Sequence, residues 1–432
     1  MKLFLKLCLA AFGIISTTSA QSLKNGPMLT YLAMRETAIW VQTDKEAEVQ
    51  MRYWKINNPQ EKFLSKKVDT KHESAYTATL TTSLLDLDTE YGYEILINQK
   101  VMKSYPNQKF KTNKIWRWRT DAPDFSFLTG SCNYVNDTAY DRPGKSYGGD
   151  HHIFTNMAKE SSNFMLWLGD NVYLREADYD SKSGIQYRYT HTRALPELQE
   201  LLRATHHYAI WDDHDYGPND AIGTYQLKDV TLQTFKDFFP SNHYGVANGQ
   251  GITSYFEWSD CAFYLLDDRW FRTTKGKDGA MLGQEQLSWL IESLKSSEAR
   301  FKFIAVGSQI LNSAKVKENH SNYENEHASL LRQLDENNIK GVIFLTGDRH
   351  NSEISKFTTS DGDIFHDLTI SPLTSGSTAN PNEPNTLRVE GSYIGGKRNY
   401  ALIQVVGNKA ERRVEVIYKD KDGKELYRYV IR

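Results

Sequence analysis

Net charge, proline and long apolar runs are all scarce in this chain of 432 residues. Lys+Arg 52 against Asp+Glu 54 gives a formal charge of −2, which excludes a polybasic protein that binds nucleic acid or membrane surfaces through bulk charge. The 11 prolines and 27 glycines exclude collagen-like and low-complexity chains, and 39% hydrophobic residues exclude a disordered one. The length favours two domains.

The first 20 residues carry the pattern of a cleaved secretory signal. Lys2 and Lys6 provide the positive segment, residues 7–15 are apolar, and Thr-Ser-Ala at 18–20 supplies the small residues of a cleavage site. We therefore expect a signal peptide at 1–20 and a periplasmic or secreted protein, with a buried N-terminal helix as the alternative. No later segment reaches the ~18 uncharged apolar residues of a membrane span, so none is predicted.

Residues 21–121 have the pattern of short strands separated by turns. Tyr91 follows Leu87 and a turn, which is the arrangement of the tyrosine corner in immunoglobulin-like sandwiches. Residues 115–120, Ile-Trp-Arg-Trp-Arg-Thr, alternate apolar and basic side chains and predict a last, half-exposed strand. We expect an N-terminal β-sandwich with little means of doing chemistry, because its only histidine is His72 and it holds no cysteine.

Residues 122–432 have a different pattern, in which continuous apolar runs alternate with helical stretches. Such runs are typical of strands buried on both faces in an α/β domain. The predicted strands lie at 125–129, 164–168, 208–211, 262–266, 301–306 and 342–345, and the predicted helices at 284–295 and 326–334. Further β-structure is expected at 368–370, 401–406 and 413–418.

Four of these apolar runs end in residue types that bind metal ions. The side chains are, in chain order, Cys132, Asp170, Tyr173, Asp213, His214, Asp348 and His350. In open α/β sheets the carboxyl ends of the strands meet at one edge, where ligands bind. Each motif alone has a simpler interpretation as a turn, a helix cap or a core cysteine. Four such strand ends together favour a metal site.

The same motifs resemble a known family. Gly-Ser-Cys, Gly-Asp-x-x-Tyr, Trp-Asp-Asp-His and Gly-Asp-x-His, in this order, are similar to those of PhoD-like alkaline phosphatases, a branch of the calcineurin-like metallophosphoesterases. Residues 265–272 and 282–290 resemble two further motifs of that family. The resemblance implies an α/β protein with a fibronectin-like β-sandwich at 21–121, followed by a layered αββα metallophosphoesterase domain at 122–432.

The resemblance also implies a pair of metal ions, which would activate a water molecule and neutralise the phosphoryl oxygens during ester hydrolysis. Asp170, which leaves the second strand of the domain, is the natural bridging ligand. Cys132 and Tyr173 would be anionic ligands of one ion, and His350 a neutral one. So much negative charge favours a trivalent metal, which the resemblance implies to be Fe³⁺.

The second ion would have oxygen ligands, Asn219 and Asp348, which suit a harder divalent metal. The family suggests Ca²⁺ there, and a Cys/His zinc site is the main alternative for the metal. One segment departs from the family pattern, which often has Glu after Trp-Asp-Asp-His and a paired Asn shortly beyond. Residues 215–220 are Asp-Tyr-Gly-Pro-Asn-Asp, in which Asn219 keeps the position of the second Asn.

Asp213 and His214 occupy the place of the Asn-His pair of the wider superfamily. By that resemblance His214 faces the substrate phosphate, as a proton donor to the leaving oxygen or as a charge stabiliser. Asp212 has two interpretations, to orient His214 or to cap the following helix. Arg269 and Arg272 are candidates for a guanidinium fork on phosphate oxygens, with ion pairs to the aspartates just before them as the alternative.

Cysteines and paired histidines complete the candidate residues. Loss of the signal peptide leaves Cys132 and Cys261. A metal-bound Cys132 excludes a disulfide between them, so we predict that Cys261 is a free, buried thiol. The histidine pairs at 151–152 and 206–207 precede the starts of strands or helices, and we interpret them as structural.

The function that follows is a periplasmic or secreted hydrolase of small-molecule phosphate esters, with no prediction of oligomeric state. Monoesterase and diesterase or phospholipase-type activities stay open. An aromatic groove would favour diesters, and the candidates near the motif loops are Tyr134, Tyr140, Tyr147, Tyr216 and Trp270. The alternative from another class is a catalytically silent surface protein that binds metal and glycan.

Overall fold

The computed structural model describes residues 22–246 and 249–432, and the predicted signal peptide lies outside the described residues. The described chain contains three β-sheets, one of nine strands and two of six. No helix in this part of the protein is both long and apolar enough to pass through a bilayer.

The N-terminal region is a β-sandwich. Its strands are β1 (Leu23–Leu32), β2 (Thr37–Thr43), β3 (Ala47–Lys55), β4 (Phe63–Leu64), β5 (Val68–Thr70), β6 (Thr77–Thr81), β7 (Glu90–Ile97), β8 (Lys100–Val101) and β9 (Lys109–Lys111), with one 3-10 turn at His72–Ser74. β1, β2 and β6 form one layer, and β3 and β7 with their short partners form the other. The tyrosine corner is confirmed, because the Tyr91 hydroxyl accepts a hydrogen bond from the Asp86 amide at 2.9 Å.

The sandwich shares a sheet with the rest of the protein, which the sequence did not indicate. β1 pairs in parallel with a strand of the second region, with Leu29 opposite His206. β2 is buried along its whole length: Ile39 lies in the core of the sandwich, whereas Trp40 lies in the core of the second region. Because one sheet runs through both regions, the division at residues 121 and 122 stays a prediction.

The predicted strand at 115–120 is wrong. These residues form turns, in which the amides of Arg119 and Thr120 both donate to the Trp116 carbonyl. Trp118 is 97% exposed and has a left-handed backbone, with φ of 61°. The alternation of tryptophan and arginine therefore marks an exposed loop without a strand to pair with.

The second region has the predicted α/β composition. Its strands are β10 (Phe125–Gly130), β11 (Phe164–Leu168), β12 (His206–Ile210), β13 (Ser254–Trp258), β14 (Cys261–Leu265), β15 (Phe301–Ala305), β16 (Val342–Thr346), β17 (Glu353–Thr358), β18 (Ile364–Thr369), β19 (Asn399–Val406), β20 (Arg413–Asp420) and β21 (Glu425–Ile431). Its helices are α1 (His152–Met157), α2 (Lys182–Arg193), α3 (Pro196–Ala204), α4 (Asp213–Tyr216), α5 (Lys228–Phe238), α6 (Gln284–Ser296) and α7 (Glu324–Glu336), with a 3-10 turn at His320–Asn322.

The strand order places parallel strands at the centre of both large sheets. The nine-stranded sheet runs β21-β20-β19-β10-β11-β12-β1-β2-β6, with β10, β11 and β12 parallel. The other runs β13-β14-β15-β16-β18-β17, with β14, β15, β16 and β18 parallel.

The two large sheets pack face to face through aromatic side chains. The rings of Phe127 and Phe164 from one sheet lie 5.3 Å from those of Phe303 and Phe263, respectively, in the other. The other face of the second sheet, which includes Ile304, packs against α6 and α7, whereas α1, α2, α3 and α5 contribute to the core of the first sheet. This is the expected helix–sheet–sheet–helix arrangement. Burial on both faces explains why these strands appear as continuous apolar runs.

Candidate metal centre

The carboxyl ends of strands from both sheets meet at one edge of the molecule. Cys132 follows β10, Asp170 follows β11, Asp213 follows β12 and Asp348 follows β16. A glycine before Asp170 permits this convergence: a Cβ on Gly169 would lie 2.7 Å from the Asp212 Cβ, and this glycine also has φ of 89°. We call this edge the ligand rim.

Four of the predicted metal ligands have a left-handed backbone. The φ angles are 62° for Cys132, 52° for Asp170, 60° for Asp348 and 55° for His350. Non-glycine residues seldom adopt this conformation, and each instance costs about 1–3 kcal/mol. Residues in this conformation persist only where the surrounding structure fixes them, and they are concentrated at functional sites. Their occurrence together at one rim indicates a site rather than a set of ordinary turns.

The rim contains three groups of side chains that could each hold a metal ion. They are Cys132–Asp170–His350, Asp170–Asp213–His214 and Asp212–Asp213–Asp348, and within each group the ligand atoms lie within 4.8 Å of one another. Asp170 belongs to two groups: its Oδ2 is 3.6 Å from Cys132 Sγ, and its Oδ1 accepts from the His214 amide at 3.3 Å. The structure therefore brings these predicted residues together in one continuous cluster.

His350 lies among hydroxyl groups. Its Nε2 is 3.3 Å from the Tyr173 hydroxyl and 3.4 Å from the Ser375 hydroxyl, and its Nδ1 is 2.9 Å from the Tyr147 hydroxyl. Burial, with the neighbouring His214, lowers the pKa of His350 to about 4. The imidazole is therefore neutral at pH 7, which is the form that coordinates metals.

The rim is electrostatically unfavourable without cations. Burial, together with Asp213 and Asp348, raises the pKa of Asp170 well above the usual range of a carboxyl group. Burial, together with Asp170 and Asp348, raises the pKa of the Cys132 thiol in the same way. Buried acids in contact either take up protons or bind cations. Thiol, phenol, carboxyl and imidazole donors at this rim therefore fit metal ions.

Asp212 caps a helix rather than orienting His214. It is the residue before α4, and its Oδ1 accepts from the Asp213 amide at 3.0 Å. It also forms a capping box with Asp215, in which the Asp212 amide donates to Asp215 Oδ2 at 3.0 Å. The His214 ring instead packs on Tyr173, with centroids 4.2 Å apart. In the described structure His214 Nδ1 is buried without a hydrogen-bond partner. One face of the cluster thus has an imidazole nitrogen that the fold does not use.

Arg269 and Arg272 are buried and already form ion pairs, which favours the ion-pair alternative over a fork on substrate phosphate. Arg269 is 0% exposed, and its Nε donates to Asp212 Oδ1 at 2.6 Å. Both guanidinium groups also donate to Glu318 Oε2, at 3.0 Å from Arg269 and 2.9 Å from Arg272. Arg272 further pairs with Asp268 at 3.0 Å. The arginines therefore offset the buried acids behind the rim.

Asn219 lies at the margin of the rim. It is exposed, and its amide donates to Asp220 Oδ2 at 3.0 Å. The Asp220 amide in turn donates to Asp213 Oδ2 at 2.6 Å. The structure therefore connects Asn219 to the cluster through its neighbour, and its role as a ligand stays a prediction.

Three contributing residues were missed or given no role by sequence reasoning. The Ser371 hydroxyl donates to Cys132 Sγ at 3.2 Å and accepts from the His350 amide at 3.0 Å. The sequence predicts Tyr147 only as an aromatic residue near the motif loops, and no sequence pattern indicates Glu318. Ser371 is 239 positions from Cys132, and no local pattern could have connected the two.

The remaining histidine and cysteine predictions concern residues away from the rim. His206 Nδ1 lies 2.8 Å from the Thr30 carbonyl oxygen, and His207 accepts from Trp167 Nε1 at 3.0 Å. These contacts confirm that this pair is structural. Cys132 and Cys261 are both free and buried, which confirms the prediction for Cys261.

Comparison with known proteins supports the resemblance to the PhoD-like phosphatases. The sequence profile of the PhoD-like phosphatases matches residues 127–399. The chain belongs to the PhoD-like phosphatase family. This match confirms the resemblance inferred from the motifs and includes the carboxyl ends of all the strands that contribute to the ligand rim. A second profile, that of a domain of unknown function (DUF7800), matches residues 20–115.

Individual relatives of this PhoD-like chain agree with the profile. Alkaline phosphatase D of Bacillus subtilis (strain 168) is 24% identical over an alignment of 286 residues, and the match covers 54% of this chain and 47% of the relative. The match thus spans about half the length of that protein. A solved structure of PhoD superposes with a TM-score of 0.75 at 16% identity, over 94% of this chain and 88% of the other.

The fold extends to more distant proteins. A purple acid phosphatase from seeds of yellow lupin (Lupinus luteus) superposes with a TM-score of 0.64 at 11% identity, over 94% of this chain and 73% of the other. At this identity the likeness concerns the fold alone. It confirms the α/β metallophosphoesterase-like architecture.

Proposed function

We propose that the protein is a metal-dependent phosphoric ester hydrolase that acts on small-molecule phosphate esters. The observation that carries the proposal is the ligand rim, where Asp170 is common to two groups of potential metal ligands. Membership of the PhoD-like phosphatase family supports the same chemistry. The apolar-to-small pattern of residues 1–20 supports a location outside the cytoplasm.

We propose two metal ions that share Asp170. Cys132, Tyr173 and His350 would complete one set of ligands, and Asp348 with Asn219 would belong to the other. By family resemblance the ions are Fe³⁺ and Ca²⁺, with zinc as the alternative. The raised pKa values of Cys132 and Tyr173, due first to burial, favour a strongly electrophilic ion at the first set, because it must displace both protons.

The bound metals supply Lewis-acid polarisation of the phosphoryl group and an activated water molecule. The protein then has to fix the ligands and to place a proton donor. The His214 amide donates to both Asp170 Oδ1 and Asp213 Oδ1, at 3.3 and 2.9 Å, which fixes these carboxylates relative to each other. We assign the His214 side chain to the leaving oxygen of the substrate, as a proton donor or charge stabiliser.

Arg269 is then a positioning residue. It holds the Asp212 cap and thereby the first turn of α4, which presents Asp213 and His214 to the rim. Its positive charge also offsets the buried acids Asp212 and Glu318. We expect loss of this arginine to act through the geometry of α4 rather than through substrate affinity.

The test combines elemental analysis of the purified protein with hydrolysis of p-nitrophenyl phosphate and bis(p-nitrophenyl) phosphate. We expect iron and calcium, a visible charge-transfer band, and turnover of at least one ester. Comparison of the turnover of the two esters decides between monoesterase and diesterase. Cys132→Ser should alter the band, whereas Cys261→Ser, the matched control at the other buried thiol, should not. Zinc alone would change the metal assignment, and a metal-loaded protein that hydrolyses neither ester would contradict the function.

A further inference from the structure

A cavity lies beside the metal centre, on the other side of Tyr147. It has a volume of about 630 Å³, within the range of small-molecule sites, and both Tyr147 and Gly376 line it. The Tyr147 hydroxyl lies 2.9 Å from His350 Nδ1, so this ring separates the cavity from the ligand rim. The ring packs so closely on Gly376 that a Cβ there would lie 2.8 Å from Tyr147 Cε2. The cavity and the rim therefore share a wall.

The side chains that line this cavity are predominantly cationic. The four cations are Lys145, Lys397, Arg398 and Lys421, and the two acids are Asp420 and Asp422. Lys421 pairs with Asp150 at 3.0 Å, and Asp422 is 2.6 Å from a histidine, so each of these charges has a partner. The Asp420 carboxylate accepts from two amides of its own turn.

Three of the cations have no such partner. Among the residues that the structure describes, no carboxylate oxygen lies within 4.0 Å of the charged nitrogens of Lys145, Lys397 or Arg398. Lys145 and Lys397 are exposed, and they lie on loops that converge at the mouth of the cavity. The cavity beside the metal centre thus carries an excess of positive charge, with four cations against two acids, although the chain as a whole is close to neutral.

Arg398 is held in place by neutral groups. Its Nε donates to the Thr374 and Ser375 carbonyls at 2.8 and 3.0 Å. Its guanidinium also packs on Gly149, where a Cβ would lie 2.2 Å from Arg398 Cζ. Because carbonyl groups and a glycine fix the arginine without neutralising it, the charge is pre-organised for an anion.

The loop that contains Thr374 and Ser375 connects Arg398 to the ligand rim. The Ser375 carbonyl accepts from Arg398, while the Ser375 hydroxyl lies 3.4 Å from His350 Nε2. The Ser375 amide donates to the Cys132 carbonyl at 3.1 Å. Ser375 therefore contacts the predicted metal ligand His350 with its side chain, and its backbone contacts Arg398, which lines the cavity.

We propose that this cavity is a subsite for a second phosphate group of the substrate. The inference rests on the proposed function, because the first phosphate ester is taken to bind at the ligand rim. Substrates of this class carry two phosphate groups on one small scaffold. Lys145, Lys397 and Arg398 contact the second phosphate, and Tyr147 lies between the two phosphates.

The test compares two ligands that differ by one phosphate, glycerol 1-phosphate and glycerol 1,3-bisphosphate. Their dissociation constants are measured by calorimetry on the metal-loaded protein, and their inhibition constants by competition with p-nitrophenyl phosphate turnover. We expect the wild type to prefer the bisphosphate. Lys145→Ala/Lys397→Ala should reduce that preference by about three- to tenfold, the size expected for two exposed charge contacts.

The matched control removes two exposed lysines from the sandwich, as Lys24→Ala/Lys66→Ala, and should leave the preference unchanged. A wild type without preference, or a Lys145/Lys397 variant that weakens both ligands equally, would overturn the subsite. Calorimetry keeps the two proposals separate. A preference that the lysines control, in a protein that hydrolyses no ester, supports the subsite and contradicts only the proposed function.

Discussion

The parallel strands β10, β11 and β12 have buried titratable side chains at their carboxyl ends, and β12 also has them at its amino end. The two ends differ in how those groups are satisfied. At the carboxyl ends, Cys132, Asp170 and Asp213 crowd together with raised pKa values for the thiol and for Asp170. At the amino end of β12, burial lowers the pKa values of His206 and His207 to about 4 and about 3. These histidines have hydrogen-bond partners within the fold.

This contrast indicates which buried polar groups need a ligand. Neutral histidines with partners complete the fold by themselves, whereas clustered acids and an unpaired imidazole nitrogen require something that the chain does not supply. Cavity size would not have distinguished the two ends. A cleft of about 1110 Å³ opens at the amino end, beside Asn163 and His206, and is larger than the 630 Å³ cavity beside the ligand rim.

The strongest way to test this contrast is to remove the acid that two ligand groups share. Asp170→Asn keeps the size of the side chain and its acceptor for the His214 amide. We expect loss of bound metal and a fall in kcat/KM of more than 100-fold, since changes that only support ligands already cost about 10–100-fold. Elemental analysis and steady-state hydrolysis of p-nitrophenyl phosphate measure both effects.

The same variant should stabilise the metal-free protein. The folded-state pKa of Asp170 is raised, so its contribution to stability is lost as pH rises above the ordinary carboxyl value, and asparagine removes that loss. Thermal unfolding of chelated protein at pH 7–8 should give a higher Tm for Asp170→Asn. An unchanged or lower Tm of the chelated variant would contradict the crowding of acids. Metal retained by the purified variant would contradict the shared role of Asp170.

The next effect in size concerns His214. We expect His214→Ala to retain both metals and to reduce kcat by about 10²–10⁴-fold, the usual contribution of a general acid. The exposed His72 of the sandwich provides the control, because His72→Ala should leave kcat unchanged. Loss of metal from His214→Ala would instead make this histidine a ligand, in keeping with its place beside Asp170 and Asp213.

The α/β region could be predicted from the sequence because its strands are buried on both faces. The continuous apolar run at 164–168 is the whole of β11, and the motif residues follow their strands directly, so the carboxyl-end rule placed them at one edge. The pattern failed where partners are distant. At 115–120 the alternation of Trp and Arg is that of a strand, but no strand of the described residues, 22–246 and 249–432, pairs with it.

Arg269 shows the same limit at the level of the site. Its position after a strand indicated the rim correctly, yet its partners Asp212 and Glu318 lie 57 and 49 positions away. Glu318 lies in a loop with no periodic sequence pattern, so its ion pairs with Arg269 and Arg272 could not be predicted. Likewise, the pairing of β1 with β12 joins two regions whose own patterns are complete without it.

The smallest expected effect concerns His207, at the amino end of β12. Its substitution tests whether the histidines at this end have all their hydrogen-bond partners within the fold. The folded-state pKa of His207 is lowered to about 3, whereas an unfolded histidine titrates near 6.5. Its contribution to stability is therefore complete above about pH 6.5 and is lost as pH falls toward 3, at about 1.4 kcal/mol per pH unit.

His207→Gln removes this titration. We expect a variant that is less stable at pH 8 by about 1–3 kcal/mol, because Trp167 Nε1 loses its acceptor, but whose stability falls less steeply between pH 6.5 and 5. Urea unfolding of chelated protein at several pH values measures both quantities. Parallel curves for the two proteins would mean that His207 is not held neutral, and the contrast between the two ends of the strands would then rest on the acids alone.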